Sequence, residues 1–219
     1  MEIDHVFLRA KLNAPEADLL REFGLTEGSG NKHSGQGTEN RRFFFCNGFI
    51  EFMWVSDYSE IRSDITRPTM LYERLSDSSV AVSPFGVCFR PTVTASGTPF
   101  SMWDYAPKYM PNGMAIGIGS DVPLTEPMWF FLEKGKAPVA APDERRQPLE
   151  HAAGVREITS IAISAPLEKK WSDAARAAMD TGNVSIVAGE QHLMEITFDN
   201  NQSGQRHDFR PALPLVFNY

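Results

Sequence analysis

The hydrophobic pattern of the chain repeats itself. Ile3-Asp4-His5-Val6-Phe7-Leu8 is an apolar, extended run, followed by a helix signal and then by Phe49-Ile50-Glu51-Phe52-Met53-Trp54. Ile158-Thr159-Ser160-Ile161-Ala162-Ile163 opens a second series, again with a helix signal, closing on Leu193-Met194-Glu195-Ile196-Thr197-Phe198. Both series predict strand, helix and further strands, with a carboxylate in the middle of the last strand. Self-similarity of this kind outranks any local assignment, because it constrains the whole fold.

In the first series, Asn13-Ala14-Pro15-Glu16 predicts a helix start, with Asn13 as cap and Pro15 in the first turn. Leu19, Leu20 and Phe23 supply its buried stripe and Gly24 its C-terminal stop. Residues 26–40 have loop chemistry. Phe43-Phe44-Phe45-Cys46, the turn Asn47-Gly48 and the run from Phe49 to Val55 predict a tight hairpin. Alternation along its second arm groups Phe49, Glu51, Met53 and Val55 on one face, and Ile50, Phe52 and Trp54 on the other. The centre carries strand-like runs at 85–90, 114–119 and 127–133, separated by loops such as Trp103-Asp104-Tyr105-Ala106-Pro107. Residues 135–148, rich in Pro, Ala and charge, form the best linker. Beyond it come strand 156–164, helix 168–179 and strands 184–188 and 192–198. The apolar tail from Pro211 to Tyr219 is expected to pack on the body. The resulting division is a first module at 1–59, a central region of strands, loops and linker at 60–150, and a second module with the tail at 151–219, in one compact unit.

Charge narrows the partners. A net charge of −7 makes a nucleic-acid backbone or an anionic membrane an unsuitable partner. Cys46 and Cys88 sit in apolar runs and read as free thiols of a reducing compartment. The acidic opening Met1-Glu2-Ile3-Asp4 lacks the pattern of a secretory signal, and no apolar run approaches the roughly 20 residues of a spanning helix. The expectation is a soluble, cytoplasmic protein.

Candidate chemistry falls on strand centres. His5 and Glu51 lie among apolar residues, where a charged side chain is costly unless paired or metal-bound. An imidazole and a carboxylate suit Zn, Fe, Mn or Ni; a hydrogen-bonded pair without an ion is the plainer alternative. Glu195 has the same standing in the second series, although Ser160 occupies the position equivalent to His5 and is a poor ligand. The polar loop from His33 to Arg42 has glycines that let backbone N–H groups crowd together. Alternation requires one of Arg41 and Arg42 to face inward, where it could clamp an anion or pair with Glu51 or Glu195. His33, Arg41 and Arg42, with an apolar lining from Phe49, Met53 and Trp54 or Trp103, are candidate binding residues. His192 and Glu195, three apart on a strand, point to opposite faces. His207-Asp208-Phe209-Arg210 reads as a polar lock for the tail, and His151 falls at the end of the linker. Gly117-Ile118-Gly119 lacks the rest of a dinucleotide fingerprint, and no serine or cysteine nucleophile motif is present.

The chain resembles the vicinal oxygen chelate superfamily, in particular its glyoxalase-like domain proteins. The resemblance rests on Ile3-Asp4-His5-Val6, the glutamate strand 49–54, the segment from Gly35 to Phe45 and the segment from His207 to Phe217. It implies an α+β fold in which paired βαβββ modules curl mixed sheets into a cup of the glyoxalase/bleomycin-resistance kind, here with a central insert. It also implies a divalent metal on His5, Glu51 and Glu195, with Glu51 or Glu195 as the proton-moving group. The implied activity is that of a metal-dependent lyase or isomerase, or of a dioxygenase, on a small molecule with vicinal oxygens. Metal-free members that bind small molecules or confer resistance make the second implied role. A homodimer is the implied assembly.

Overall fold

The computed structural model describes residues 1–92, 97–166 and 170–219. In chain order its elements are β1 (Glu2–Arg9), α1 (Ala17–Phe23), β2 (Asn31–His33), β3 (Thr38–Phe44), β4 (Phe49–Val55), α2 (Tyr58–Ile61), α3 (Leu71–Ser76), β5 (Phe85–Arg90), β6 (Met102–Tyr105), β7 (Ile116–Gly119), β8 (Met128–Phe131), β9 (Ile158–Ala165), α4 (Asp173–Met179), β10 (Val184–Ala188), β11 (Leu193–Phe198), β12 (Arg206–Asp208) and β13 (Leu215–Asn218). They build an α+β fold of two mixed sheets. The larger has the order β2-β3-β4-β1-β5-β8-β7-β6 and the smaller β10-β9-β11-β13-β12.

The larger sheet consists of two halves with one internal plan. β1 runs parallel to β4, and β5 runs parallel to β8. β1 and β5 meet antiparallel at the centre, so the halves are arranged head to tail about that seam. The central segment is thus the structural counterpart of the N-terminal one. Residues 158–218 instead form the separate smaller sheet, which corrects the expected pairing of 1–59 with 151–219 in one cup. Hydrophobic alternation reports which face of a strand is buried, but not which sheet the strand joins.

The larger sheet is strongly curled. Laid flat, seven inter-strand gaps would hold its edge strands roughly 34 Å apart. Yet the His33 ring on β2 lies 4.8 Å from that of Tyr109, just beyond β6 at the opposite edge. Its convex face presents Val6, Leu8, Ile50, Phe52, Val87, Phe89 and Trp129 to the smaller sheet's Ile161, Ile163, Met194, Ile196 and Phe198, together with Leu20 of α1 and Ala174 and Ala178 of α4. The concave face carries a second apolar cluster: Phe7, Met53, Cys88, Ile116, Met128 and Phe130, joined by Ile61 of α2 and Leu71 and Leu75 of α3.

Local differences from expectation have simple causes. α1 starts at Ala17, with Glu16 in the cap position, because Asn13 and Ala14 take positive φ and lie in the turn that precedes the helix. Gly24, at φ 107°, ends the helix as expected. The polar stretch 26–40 contains β2 and the start of β3, whose turn places Gly37 at φ 79° with no room for a Cβ beside the Asp57 carbonyl. β6 lies in a stretch that reads as loop. The N-terminal end of the expected helix 168–179 falls partly outside the described residues, and its ordered part runs 173–179. His151 is not a free linker side chain: its Nδ1 accepts from the Thr26 amide at 3.0 Å, and its Nε2 lies 2.9 Å from the Phe44 carbonyl.

Candidate functional site

The concave face encloses a cavity of about 280 Å³, near the lower end of small-molecule sites. Its two walls differ in kind. β1–β4 contribute His5, His33, Asn40, Arg42 and Glu51, whereas β7, β8 and the segment between β6 and β7 contribute chiefly Ile116, Met128, Phe130, Tyr109 and Met110, with Glu133 and Lys134 following β8 at the rim.

A bulge at the start of β1 builds the centre of the site. Ile3 pairs with Phe89 and His5 with Cys88, so Asp4 is an extra residue relative to β5. Without the bulge, alternation would send the side chains of Asp4 and His5 to opposite faces; with it, both reach the concave side. The Asp4 carboxylate meets His5 Nδ1 at 2.7 Å. Its other oxygen meets Arg90 Nη1 at 3.3 Å, and Arg90 Nε donates to Glu2 at 2.8 Å. Burial pushes the Asp4 carboxyl up. The hydrogen bond and charge of His5, with Arg90 behind them, outweigh burial and hold it below its ordinary value. An ionised Asp4 only accepts, so His5 carries a proton on Nδ1 and turns Nε2 to the cavity, 3.8 Å from Glu51 Oε1. The His5 ring is stacked on Phe49 at 4.1 Å and meets the edge of Phe130 at 5.3 Å. Asn40 Nδ2 donates to the other Glu51 oxygen.

Arg42 is the inward arginine. Its Nε donates to the Ser29 carbonyl at 2.8 Å and its guanidinium lies 5.0 Å from the centre of the Phe44 ring. Burial pulls it below its ordinary value, with Glu51 opposing. Arg41 faces away, bound to Glu27 at 2.6 and 2.7 Å and to Asp18 at 2.8 Å, which removes it from the binding residues. Neither Glu51 nor Glu195 is its partner. Trp103 stands over a neighbouring cleft with Pro68, Met70 and Ile118, not over the His5 cavity. His33, Arg42, Phe49 and Met53 line the cavity as expected.

Glu195 does not join His5 and Glu51. Met194 and Ile196 point into the interface between the sheets, so Glu195 between them faces outward from the smaller sheet. There it is held by Arg206 at 2.7 Å and by Asn218 at 3.3 Å. The hydrogen bond from Arg206 is the main cause of its lowered pKa. The three-residue metal set on His5, Glu51 and Glu195 is therefore not assembled; two of its donors adjoin. Among the described residues, three donor groups come within 4.8 Å of one another only at Asp4, His5 and Cys88. Their chemistry fits an ion poorly. Asp4 is already committed to His5 and to the Arg90 cation, which together occupy both of its oxygens.

Asp4 is the functional residue that strand periodicity hides. Its one sequence signal is an acid beside a histidine in an otherwise apolar strand. Tyr109 is equally hidden, because it reaches the site only through the curl of the sheet, whereas Gln36 lies within the polar segment from His33 to Arg42.

Among the described residues, no helix is long and apolar enough to cross a membrane. No protein-family model matches the chain, and no curated protein matches it. Among solved structures, a hypothetical protein from Staphylococcus aureus is similar in fold, with a TM-score of 0.52 and 12% sequence identity over 98% of each chain.

Proposed function

We propose that the concave face is a glyoxalase-like site for a small molecule that joins a flat apolar body to an oxygen-bearing end, and that His5 moves a proton on it. On this reading the two halves of the larger sheet are the paired modules of a vicinal oxygen chelate fold, and the smaller sheet is an addition that supports their back. The observation that carries the proposal is His5: buried, fixed at Nδ1 by Asp4, and opening Nε2 to the cavity beside Glu51. A carboxylate behind an imidazole sets its tautomer and stabilises the cation that forms when Nε2 takes a proton. Glu51, held by Asn40, stands where it can receive that proton or balance the imidazolium. The apolar wall of Met128, Phe130 and Ile116 would grip the body of the substrate and exclude water.

The test is deuterium wash-in. The protein is incubated in D₂O with small aryl ketones and α-hydroxy ketones, and exchange alpha to the carbonyl is followed by proton NMR. Exchange in the native protein that disappears in His5→Gln supports proton transfer. Absence of both binding and exchange across the panel would sink the proposal. Binding without exchange would favour the metal-free binder, to which the apolar surface of Ile116, Met128 and Phe130 lends support. Elemental analysis and add-back of Zn, Mn, Fe and Ni test the metal-dependent version; tight binding of an ion at His5 and Glu51 would restore it.

A further inference from the structure

The seam that closes the cup is a chain of hydrogen bonds. Tyr109 Oη donates to Gln36 Oε1 at 3.3 Å, Gln36 Nε2 donates to Thr38 Oγ1 at 2.8 Å, and Thr38 Oγ1 lies 2.8 Å from His33 Nδ1. Thr38 is fully buried, so its hydroxyl proton must find an acceptor within the protein. The Gln36 amide already donates to that hydroxyl, which leaves His33 Nδ1 as the acceptor among the described residues. An Nδ1 that accepts fixes the neutral ring with its proton on Nε2. Burial pulls the His33 imidazole below its ordinary value, with Glu51 opposing and Arg42 adding to the effect. His33 Nε2 has no protein partner among the described residues, is not sealed from solvent, and belongs to a ring on the cavity wall.

The opposite polarity of the chain would leave the Tyr109 hydroxyl proton without a partner. The forward polarity pairs both hydroxyl protons, of Tyr109 and of Thr38, and leaves the His33 Nε2–H free toward the cavity. We infer that Tyr109, Gln36 and Thr38 form a one-way relay that fixes His33 as an Nε2–H donor facing the cup, so that the cup takes ligands presenting a carbonyl-type oxygen to that wall. The inference rests on the cup being a ligand site, and it adds the polarity of recognition: His5 offers a lone pair and His33 a proton. It also couples recognition to closure, because Tyr109 belongs to the far edge of the sheet. The relay residues are positioning residues; His33 is the one that would touch the ligand.

The experiment uses the full chain labelled with ¹⁵N at histidine. At pH 7.5 the long-range ¹H–¹⁵N correlation of His33 should show a protonated Nε2 and an unprotonated Nδ1. The reverse pattern, or an imidazolium, overturns the relay whatever the cup binds. Thr38→Val and, more mildly, Tyr109→Phe should release the ring into a tautomer mixture; an unchanged His33 pattern in both overturns it. For the ligand, acetophenone is compared with α-methylstyrene, which replaces the C=O by C=CH2 at nearly the same shape and has no oxygen. Acetophenone should bind roughly fivefold more tightly, the worth of one neutral hydrogen bond, and should shift the His33 Nε2–H resonance. Equal affinity with no such shift overturns the acceptor rule. Binding of neither probe, with the Nε2–H tautomer in place, overturns the ligand reading of the cup and leaves the relay intact.

Discussion

The two halves of the curled sheet share a strand order and differ in chemistry. In the N-terminal half, β1 and β4 carry His5 and Glu51 into the cup; in the other half, β5 and β8 bring Cys88, Met128 and Phe130 to the same concave face. Even the close fit across the central seam follows this division. Gly86 has no side chain, and a Cβ there would strike the Phe7 ring, so the second half yields space to the first. A duplicated backbone plan therefore does not carry a duplicated site. The N-terminal half supplies the buried histidines and Glu51, and the other supplies most of the apolar surface, with Tyr109, Glu133 and Lys134 at its margin.

The comparison can be broken most forcefully at Asp4. Asp4→Leu strips His5 of its orienting partner and leaves Arg90 with Glu2 alone, and should cost about 3 kcal/mol of stability in urea unfolding, as expected for one partner of a buried charge pair. A cost below about 1 kcal/mol would mean that the polar half is not organised around this residue. At the cavity, Glu51→Gln and Phe130→Leu separate the two walls. Glu51→Gln should weaken ligands that donate a hydroxyl to it, such as α-hydroxy ketones, roughly tenfold and leave hydrocarbons of the same shape unchanged. Phe130→Leu should weaken both alike. Isothermal titration with matched ligands distinguishes these outcomes, and identical profiles for the two variants would erase the division of labour.

Acid sharpens the same contrast. The folded pKa of Asp4 is lowered, so its contribution is present above the unfolded carboxylate value of about 3.9 and is lost as pH falls through the folded value. The stability gap between native protein and Asp4→Asn should therefore be widest near neutrality and close below about pH 4. A gap that does not change with pH would contradict an ionised Asp4. The smallest effect is expected on the smaller sheet. Glu195→Gln loosens a partly exposed pair with Arg206, should cost less than about 1 kcal/mol, and should leave cup binding unchanged.

Glu51 and Glu195 show how far the sequence could be followed. Both occupy the middle of a strand between apolar neighbours, and in both alternation separates the carboxylate from those neighbours. For Glu51 the opposite face of the strand packs against the smaller sheet, which leaves the carboxylate in the cup. For Glu195 the apolar neighbours enter that same interface from the other side, which leaves the carboxylate on the outer surface. The pattern of period two is identical in the two cases. Arg41 and Arg42 were separable in principle, since one had to face inward, but the choice depended on the register with β4, where Arg42 stands opposite Glu51. Asp4 escaped because a bulge suspends alternation, and a bulge leaves no mark in a single strand's composition.

The sequence by itself determined the local elements that rest on short-range physics: β1, the Asn47-Gly48 hairpin, the glycine stop of α1, strands β5 and β10, and the concave grouping of Phe49, Glu51 and Met53. Tertiary structure decided which strands share a sheet, that the central segment rather than the C-terminal one completes the cup, and that Tyr109 meets Gln36 and His33 across its mouth. Those outcomes depend on pairing and curl between residues far apart in the chain. Side-chain periodicity records the face each strand buries, and carries no information about the partner it buries it against.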